Sequence, residues 1–288
     1  KISFINTSTG WAAGEKGAVI KSTNGGNSWT AQYPGTVTDI SELQFTDSLH
    51  GFIAAESDLY ISINSGASWD IAYRFPGYTI SAMHFTTNDT GYIALTSGFG
   101  SGQLYKTNDG GLNWTILVSA LSSDVMDIDA SPNGNLFMCG VSGFLQRSTN
   151  NGQTWTKITS AFTAAAYLSS MAIAVTANVA NYVYVLTAKA ATDYGFEGIY
   201  KSTNSGASFT KVTTSSPTNI LGWASNGTGT GGQGWYDLAF AASPTNKDEI
   251  VTGGVNIWRS TNGGSSFNII GHWTGSGAPY VHADIHDL

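Results

Sequence analysis

A single cysteine, Cys139, stands among 288 residues, which excludes an internal disulfide and any cysteine cage for zinc. Charge is scarce: 11% of residues carry one, 12 basic against 19 acidic, for a formal net charge of −7. The basic residues are scattered and form no stripe, which argues against nucleic acid or an anionic membrane as partner. No run approaches the roughly 20 apolar residues of a membrane span. No charged-then-apolar leader precedes Lys1-Ile2-Ser3-Phe4, which opens inside a strand pattern and reads as a mature or trimmed segment. Glycine, at 35 residues, together with abundant Ser, Thr and Asn, suits short strands joined by tight turns.

What is present is a repeat. An octamer returns six times: a hydroxyl residue, Asn or Asp two on, Gly two further, and an aromatic three beyond. It runs Ser22–Trp29, Ser62–Trp69, Thr107–Trp114, Ser148–Trp155, Ser202–Phe209 and Ser260–Phe267, with starts 40, 45, 41, 54 and 58 residues apart. A period of about 40 to 50 residues is what a four-stranded propeller blade consumes. Physically the octamer reads as a hairpin turn. The Asn or Asp side chain bonds backbone N–H groups ahead of it, the glycine takes positive φ, and the aromatic folds back over the hairpin. Five copies carry Asn and only Asp109 carries the acid, so hydrogen bonding suffices and the turns need no cation. Recurrence in every unit marks them as structural.

These octamers resemble the Asp-box, or BNR, repeat, and the resemblance covers essentially the whole chain. The motif is shared by sialidases, sortilin-like receptor domains, xyloglucanase-type glycoside hydrolases, the photosystem assembly factor Ycf48 and many secreted bacterial propellers. It implies an all-β fold, a β-propeller of four-stranded blades in one domain over residues 1–288. With the composition, it implies a secreted or cell-surface location.

A second pattern precedes the early boxes: an apolar residue, a spacer, Phe, five residues, Gly, then an aromatic. It reads Ile2-x-Phe4 to Gly10-Trp11, Leu43-x-Phe45 to Gly51-Phe52, and Met83-x-Phe85 to Gly91-Tyr92. This predicts an inner strand, a turn and a second strand. Blades then run approximately over 1–36, 37–76, 77–120, 121–160, 161–214 and 215–271, with residues 272–288 entering the inner strand of a seventh. Closing that blade needs three more strands, so the chain reads as part of a longer one.

The boxes lie on one face of such a fold, and the large insertions fall on the other: Ser97 to Gln103, Ala188 to Gly198, Thr214 to Gly234 and Gly271 to Val281. Irregular loops on a rigid scaffold are the usual place for binding. They carry Tyr194, Phe196, Trp223, Trp235, Tyr236, Trp273 and Tyr280, aromatic planes amid Gly, Asn and Thr suited to a glycan or protein partner. The alternative is that these rings pack the loops onto the propeller.

Inner strands also gather acids. Asp39, Glu42, Asp124, Asp127, Asp237, Asp284 and Asp287 fall at two recurrent levels, with Tyr167 at the equivalent place in the fifth blade. They form either a carboxylate collar or a set of acceptors for neighbouring backbone N–H groups. Asp237 and Asp287 are the candidate catalytic positions. In His282-Ala283-Asp284-Ile285-His286-Asp287 strand alternation puts His282, Asp284 and His286 on one face, a donor set for a transition metal alongside the alternative of a hydrogen-bonded lining. No other cofactor is implied.

A sialidase is excluded because its three-arginine clamp cannot be built: the chain holds only Arg74, Arg147 and Arg259, and the latter two occupy the pre-box position that Lys21, Lys106 and Lys201 fill elsewhere. The basic patch associated with the Ycf48 group is likewise missing. The expectation is a binding module for an extracellular protein or polysaccharide, free-standing or within a larger surface assembly. The alternative is a glycoside hydrolase using a carboxylate pair about 5 to 10 Å apart.

Overall fold

The computed structural model describes residues 1–97, 102–131, 133–159, 162, 168–177, 179–190, 193–213 and 219–288. Tyr167, part of the 97–103 insertion and the first residues of the 214–234 insertion lie outside these. The fold is a six-bladed β-propeller of four-stranded antiparallel sheets. Inner strands are Ile2–Phe4, Glu42–Phe45, Thr79–Phe85, Val125–Ala130, Leu168–Val175 and Ala239–Ala242. The corresponding outermost strands are Thr30–Gln32, Asp70–Arg74, Thr115–Leu121, Thr156–Lys157, Thr210–Lys211 and Asn268–Gly271, matching the blade boundaries read from the repeat. Two compact units divide the chain, Lys1–Val125 and Met126–Leu288.

In the first unit the Phe-to-Gly pattern explains itself. Phe4, Phe45 and Phe85 pair directly with Gly10, Gly51 and Gly91 across the first two strands of their blades. A Cβ on any of these glycines would stand 2.4 to 2.5 Å from the facing ring, so the ring lies over its own glycine. The next aromatic points to the following blade: Trp11 stacks on Phe45 at 3.6 Å and Phe52 on Phe85 at 3.5 Å. Box tryptophans close the column edge-on, with Trp69 against Phe45 and Trp114 against Phe85. The interleaved blades bury Ile53, Leu59, Ile80 and Ile93 almost completely.

Each box is a closed hydrogen-bond circuit. In the first, the Gly26 N–H donates to Ser22 Oγ at 2.9 Å, Ser22 Oγ–H donates to Asn24 Oδ1 at 3.0 Å, and the Ser28 N–H donates to the same Oδ1 at 2.9 Å. The other five repeat this pattern. The leading hydroxyl is buried in all six, which is affordable because it both donates and accepts. A further N–H ties the box to the turn between its blade's first two strands, from Gly25 to Ser8 O, Ser65 to Leu49 O, Gly110 to Asp89 O, Ser205 to Asn181 O and Gly263 to Asp248 O. Boxes also reach the preceding blade: the Trp11 indole and the Gln32 amide both donate to Ser65 O. In Asp109 these bonds to Asn113 and Thr107 hold the carboxyl below its ordinary range.

In the second unit, the recurrent Asp127 and, two residues on, Asp129 act as inter-blade acceptors. Asp127 Oδ2 accepts from the Ile173 N–H at 3.1 Å and Asp129 Oδ2 from the Val175 N–H at 2.8 Å. In the first unit Asp124 accepts from Thr96 Oγ1 and Glu42 pairs with Lys1. Of these recurrent acids, Asp127 thus accepts a backbone N–H from the neighbouring blade, whereas Asp124 and Glu42 meet side chains. Burial pushes Asp129 up to about 7 despite N–H bonds from Val175 and Ala130. A raised carboxyl pKa means the folded state keeps a proton that the unfolded chain has lost. Its stabilising contribution is thus complete below about pH 4 and is lost as pH rises through about 7. Asp129→Asn keeps an oxygen for the Val175 N–H, and it should reduce the fall in thermal midpoint between pH 5 and 8. Melting curves across that range check this.

The seventh inner strand is not formed. Residues 282–288 pair with no strand. Asp284 adopts φ +73, which breaks alternation, and the segment is held by an Ile285 N–H donated to Gly254 O at 3.1 Å. The polar run His-Ala-Asp-Ile-His-Asp has one large apolar side chain, Ile285, to bury; it packs where a Cβ on Gly253 would stand 2.6 Å away.

Candidate functional site

The candidate site lies in the second unit, where long insertions leave blades five and six. Polar latches set the loops. Asn219, buried, accepts the Phe196 N–H at 2.9 Å and donates to Gly231 O at 2.8 Å, joining the two insertions. Asn256, fully buried, donates to Gly222 O at 2.9 Å and accepts the Trp273 N–H at 3.2 Å. His272, also buried, receives the N–H groups of Thr274 and Ser276 on Nδ1 and faces Trp223 O with Nε2 at 3.2 Å. An acceptor at Nδ1 and a carbonyl at Nε2 assign the Nε2–H tautomer. The sequence reading missed all three latches. A buried polar side chain in a glycine-rich loop looks like any solvent-facing turn residue until the fold closes over it.

The latches present aromatic rings outward. Trp223 and Trp273 meet edge-on at 5.6 Å, and the Trp273 indole N–H donates to Trp223 O at 3.1 Å. Trp235 stands 6.1 Å from Tyr194 and 5.4 Å from Tyr236. His286 lies edge-on to Tyr236 at 4.8 Å. Exposure is 43% for Trp223, 57% for Trp235, 52% for Tyr236, 39% for Trp273 and 68% for Tyr280. Those values depart from the usual burial of such rings. Of the loop aromatics, Phe196 follows the packing alternative and is buried in the core, and Tyr194 is half-buried.

Asp237 ends the turn Gln233–Tyr236, its N–H donating to Gln233 O at 3.0 Å. It is 1% exposed and neither carboxylate oxygen meets hydrogen-bond geometry with a donor. Burial pushes it up to about 7; the Asp284 charge adds to this, and the nearby N–H groups of Asp237 and Asp284 oppose it only in part. The charge acting on Asp237 is thus that of Asp284, whereas Asp287 takes the Leu288 N–H at 3.0 Å.

The histidine-based metal set does not assemble. His282 turns Nδ1 toward Ala283 O, His286 sits against Tyr236, and Asp284 has left the strand conformation. No group of three His, Cys, Asp or Glu among the described residues is placed to hold a metal. The expectation rested on strand alternation, which the positive φ at Asp284 removes. Cys139 is buried with its thiol against Met171 O, and burial raises its pKa well above the ordinary value.

The family profile of the photosynthesis system II assembly factor YCF48 matches residues 1–136. No curated protein is significantly similar in sequence. Among solved structures, YCF48 bound to a D1 peptide is 16% identical with a TM-score of 0.62, covering 93% of this chain and 80% of that one. YCF48 from Cyanidioschyzon merolae gives 16%, 0.62, 93% and 83%. The GH74 xyloglucanase from Xanthomonas campestris is 16% identical with a TM-score of 0.70, covering 93% of this chain, which spans 46% of that one. At such identities the likeness is one of fold. The secreted or cell-surface location read from composition is corrected by these matches, which lead to a photosystem II assembly factor rather than to a surface protein. The physical reason is that low charge and abundant Gly, Ser, Thr and Asn are what Asp-box turns demand in any compartment.

Proposed function

We propose that this chain, which belongs to the Asp-box (BNR) repeat β-propellers, is a binding module that captures a protein partner through the aromatic loops of its second unit. The observation that carries this reading is the group Trp223, Trp235, Tyr236, Trp273 and Tyr280, all at least 39% exposed yet anchored by buried latches. Exposed Trp and Tyr on a preorganised surface are the residues that dominate binding energy at protein interfaces. A peptide complex of a protein with the same fold is consistent with it. The hydrolase alternative needs two carboxyl groups open to a sugar, and Asp237 offers no solvent-facing oxygen, so the geometry favours binding.

Trp235 and Tyr280 are the most exposed of the five and make none of the latch bonds, so their removal spares the fold. Displayed random peptides and a glycan array, both probed with the wild-type chain, should enrich peptides. Trp235→Ala and Tyr280→Ala should each weaken a selected peptide by about tenfold or more, with an unchanged thermal midpoint. Glycan capture alone, or peptide affinity indifferent to both substitutions, would overturn the reading.

A further inference from the structure

Asp237 is the most anomalous polar group in the second unit. A carboxylate closed to water is normally satisfied by several donors or by a cation, and in blade four Asp127 and Asp129 each have backbone donors. Asp237 has no donor at hydrogen-bond geometry; the groups that act on it are the nearby main-chain N–H groups of Asp237 and Asp284 and the Asp284 carboxylate. The same turn carries a further orphan: Gln233, whose main-chain oxygen accepts the Tyr236 and Asp237 N–H groups, has a buried and unpartnered Oε1. Asp284 is brought to Asp237 by construction. Ile285 docks on Gly253 while its N–H bonds Gly254 O, and Gly254 lies against the Asp237 main chain. The positive φ at Asp284 accompanies this placement.

We propose that the carboxylates of Asp237 and Asp284, with Gln233 Oε1, form a site for a hard divalent cation, calcium. Two carboxylates and an amide oxygen suit an oxygen-seeking ion, and calcium accepts the irregular geometry of ligands drawn from a turn and a tail better than magnesium does. Soft metals are disfavoured because both neighbouring imidazoles are directed elsewhere, His282 to Ala283 O and His286 to the Tyr236 ring. The ion would staple residues 282–288 to the turn before blade six, beside Trp235 and Tyr236. The inference stands independently of the partner proposed above.

With few charged ligands, affinity should lie near roughly 0.1 mM. The test uses the full chain with calcium chloride and, as a luminescent stand-in, terbium. Trp235 and Tyr236 flank the site, so excitation of tryptophan should sensitise bound terbium, and calcium should quench the emission by displacement. At 5 mM calcium and pH 7.5 the thermal midpoint should rise by about 5 °C. Asp237→Asn and the exposed Asp284→Asn should each weaken calcium by about tenfold or more; the second keeps the test valid if the first fails to fold. Trp235→Phe should lower terbium emission while leaving the calcium shift in place. Absence of any calcium shift and of sensitised terbium at pH 7.5 would overturn the site. Calcium affinity unchanged from the wild-type chain in both Asp variants would also overturn it.

Discussion

Replacing Gly206 by alanine should cost about 3 to 4 kcal/mol and lower the thermal midpoint by about 8 to 10 °C. Two separate costs combine there. Gly206 sits at φ +77, where a side chain costs roughly 1 kcal/mol. Its Cβ would also fall 2.2 Å from the Phe137 ring, and Phe137 is fully buried in the core between blades four and five with no room to retreat. Gly35 separates the two costs. It has φ +82 but nothing within 4 Å of a Cβ, so Gly35→Ala should lose only about 1 kcal/mol. Equal midpoints for the two variants would mean that the box glycine is selected for its backbone alone. A large gap would mean that the box is an inter-blade contact, as at Gly66, where a Cβ would meet Gln32 Oε1 at 2.3 Å, and at Gly111, where it would meet Leu59 at 2.7 Å.

Trp11→Ala should be comparably severe, about 3 to 5 kcal/mol, with a midpoint lowered by about 10 °C. The indole is fully buried, stacks on Phe45 of the next blade at an interplanar angle of 7°, and donates to Ser65 O at 3.0 Å in the second box. Truncation opens a cavity in the blade-one to blade-two core and removes one of the bonds on that carbonyl, since Gln32 still reaches it at 3.2 Å. Trp11→Phe keeps most of the stacking and loses the N–H, so it should recover most of the stability. Chemical denaturation of the three chains measures the difference. A Phe variant as unstable as the Ala variant would assign the effect to the indole N–H rather than to packing.

Repeat length, blade boundaries and the structural character of the boxes were legible because each depends on local spacing. A hydroxyl, an amide and a glycine at fixed offsets close a turn whatever surrounds them. The Phe-to-Gly pattern was legible as a hairpin for the same reason. Its purpose was not: Trp11 finds Phe45 only once two blades are packed. The aromatic loops were picked out by composition, yet composition could not separate Phe196, which is buried, from Trp235, which is exposed. Asn219, Asn256 and His272 left no sequence signal, since the partners by which they join separate loops lie 10 to 49 residues away, at irregular spacing.

Local order along the chain thus determined the six blades and their turns, because short-range hydrogen bonds and period-2 alternation are properties of consecutive residues. The tertiary structure alone decided the fate of the last residues. There alternation promised a strand with two imidazoles and a carboxylate on one face, and the docking of Ile285 on Gly253 instead turned Asp284 toward Asp237. A carboxylate's surroundings are set by whatever the fold brings near it. That is why Asp127 became a backbone acceptor, while Asp237, from the same recurrent position in another blade, was left buried beside a second acid.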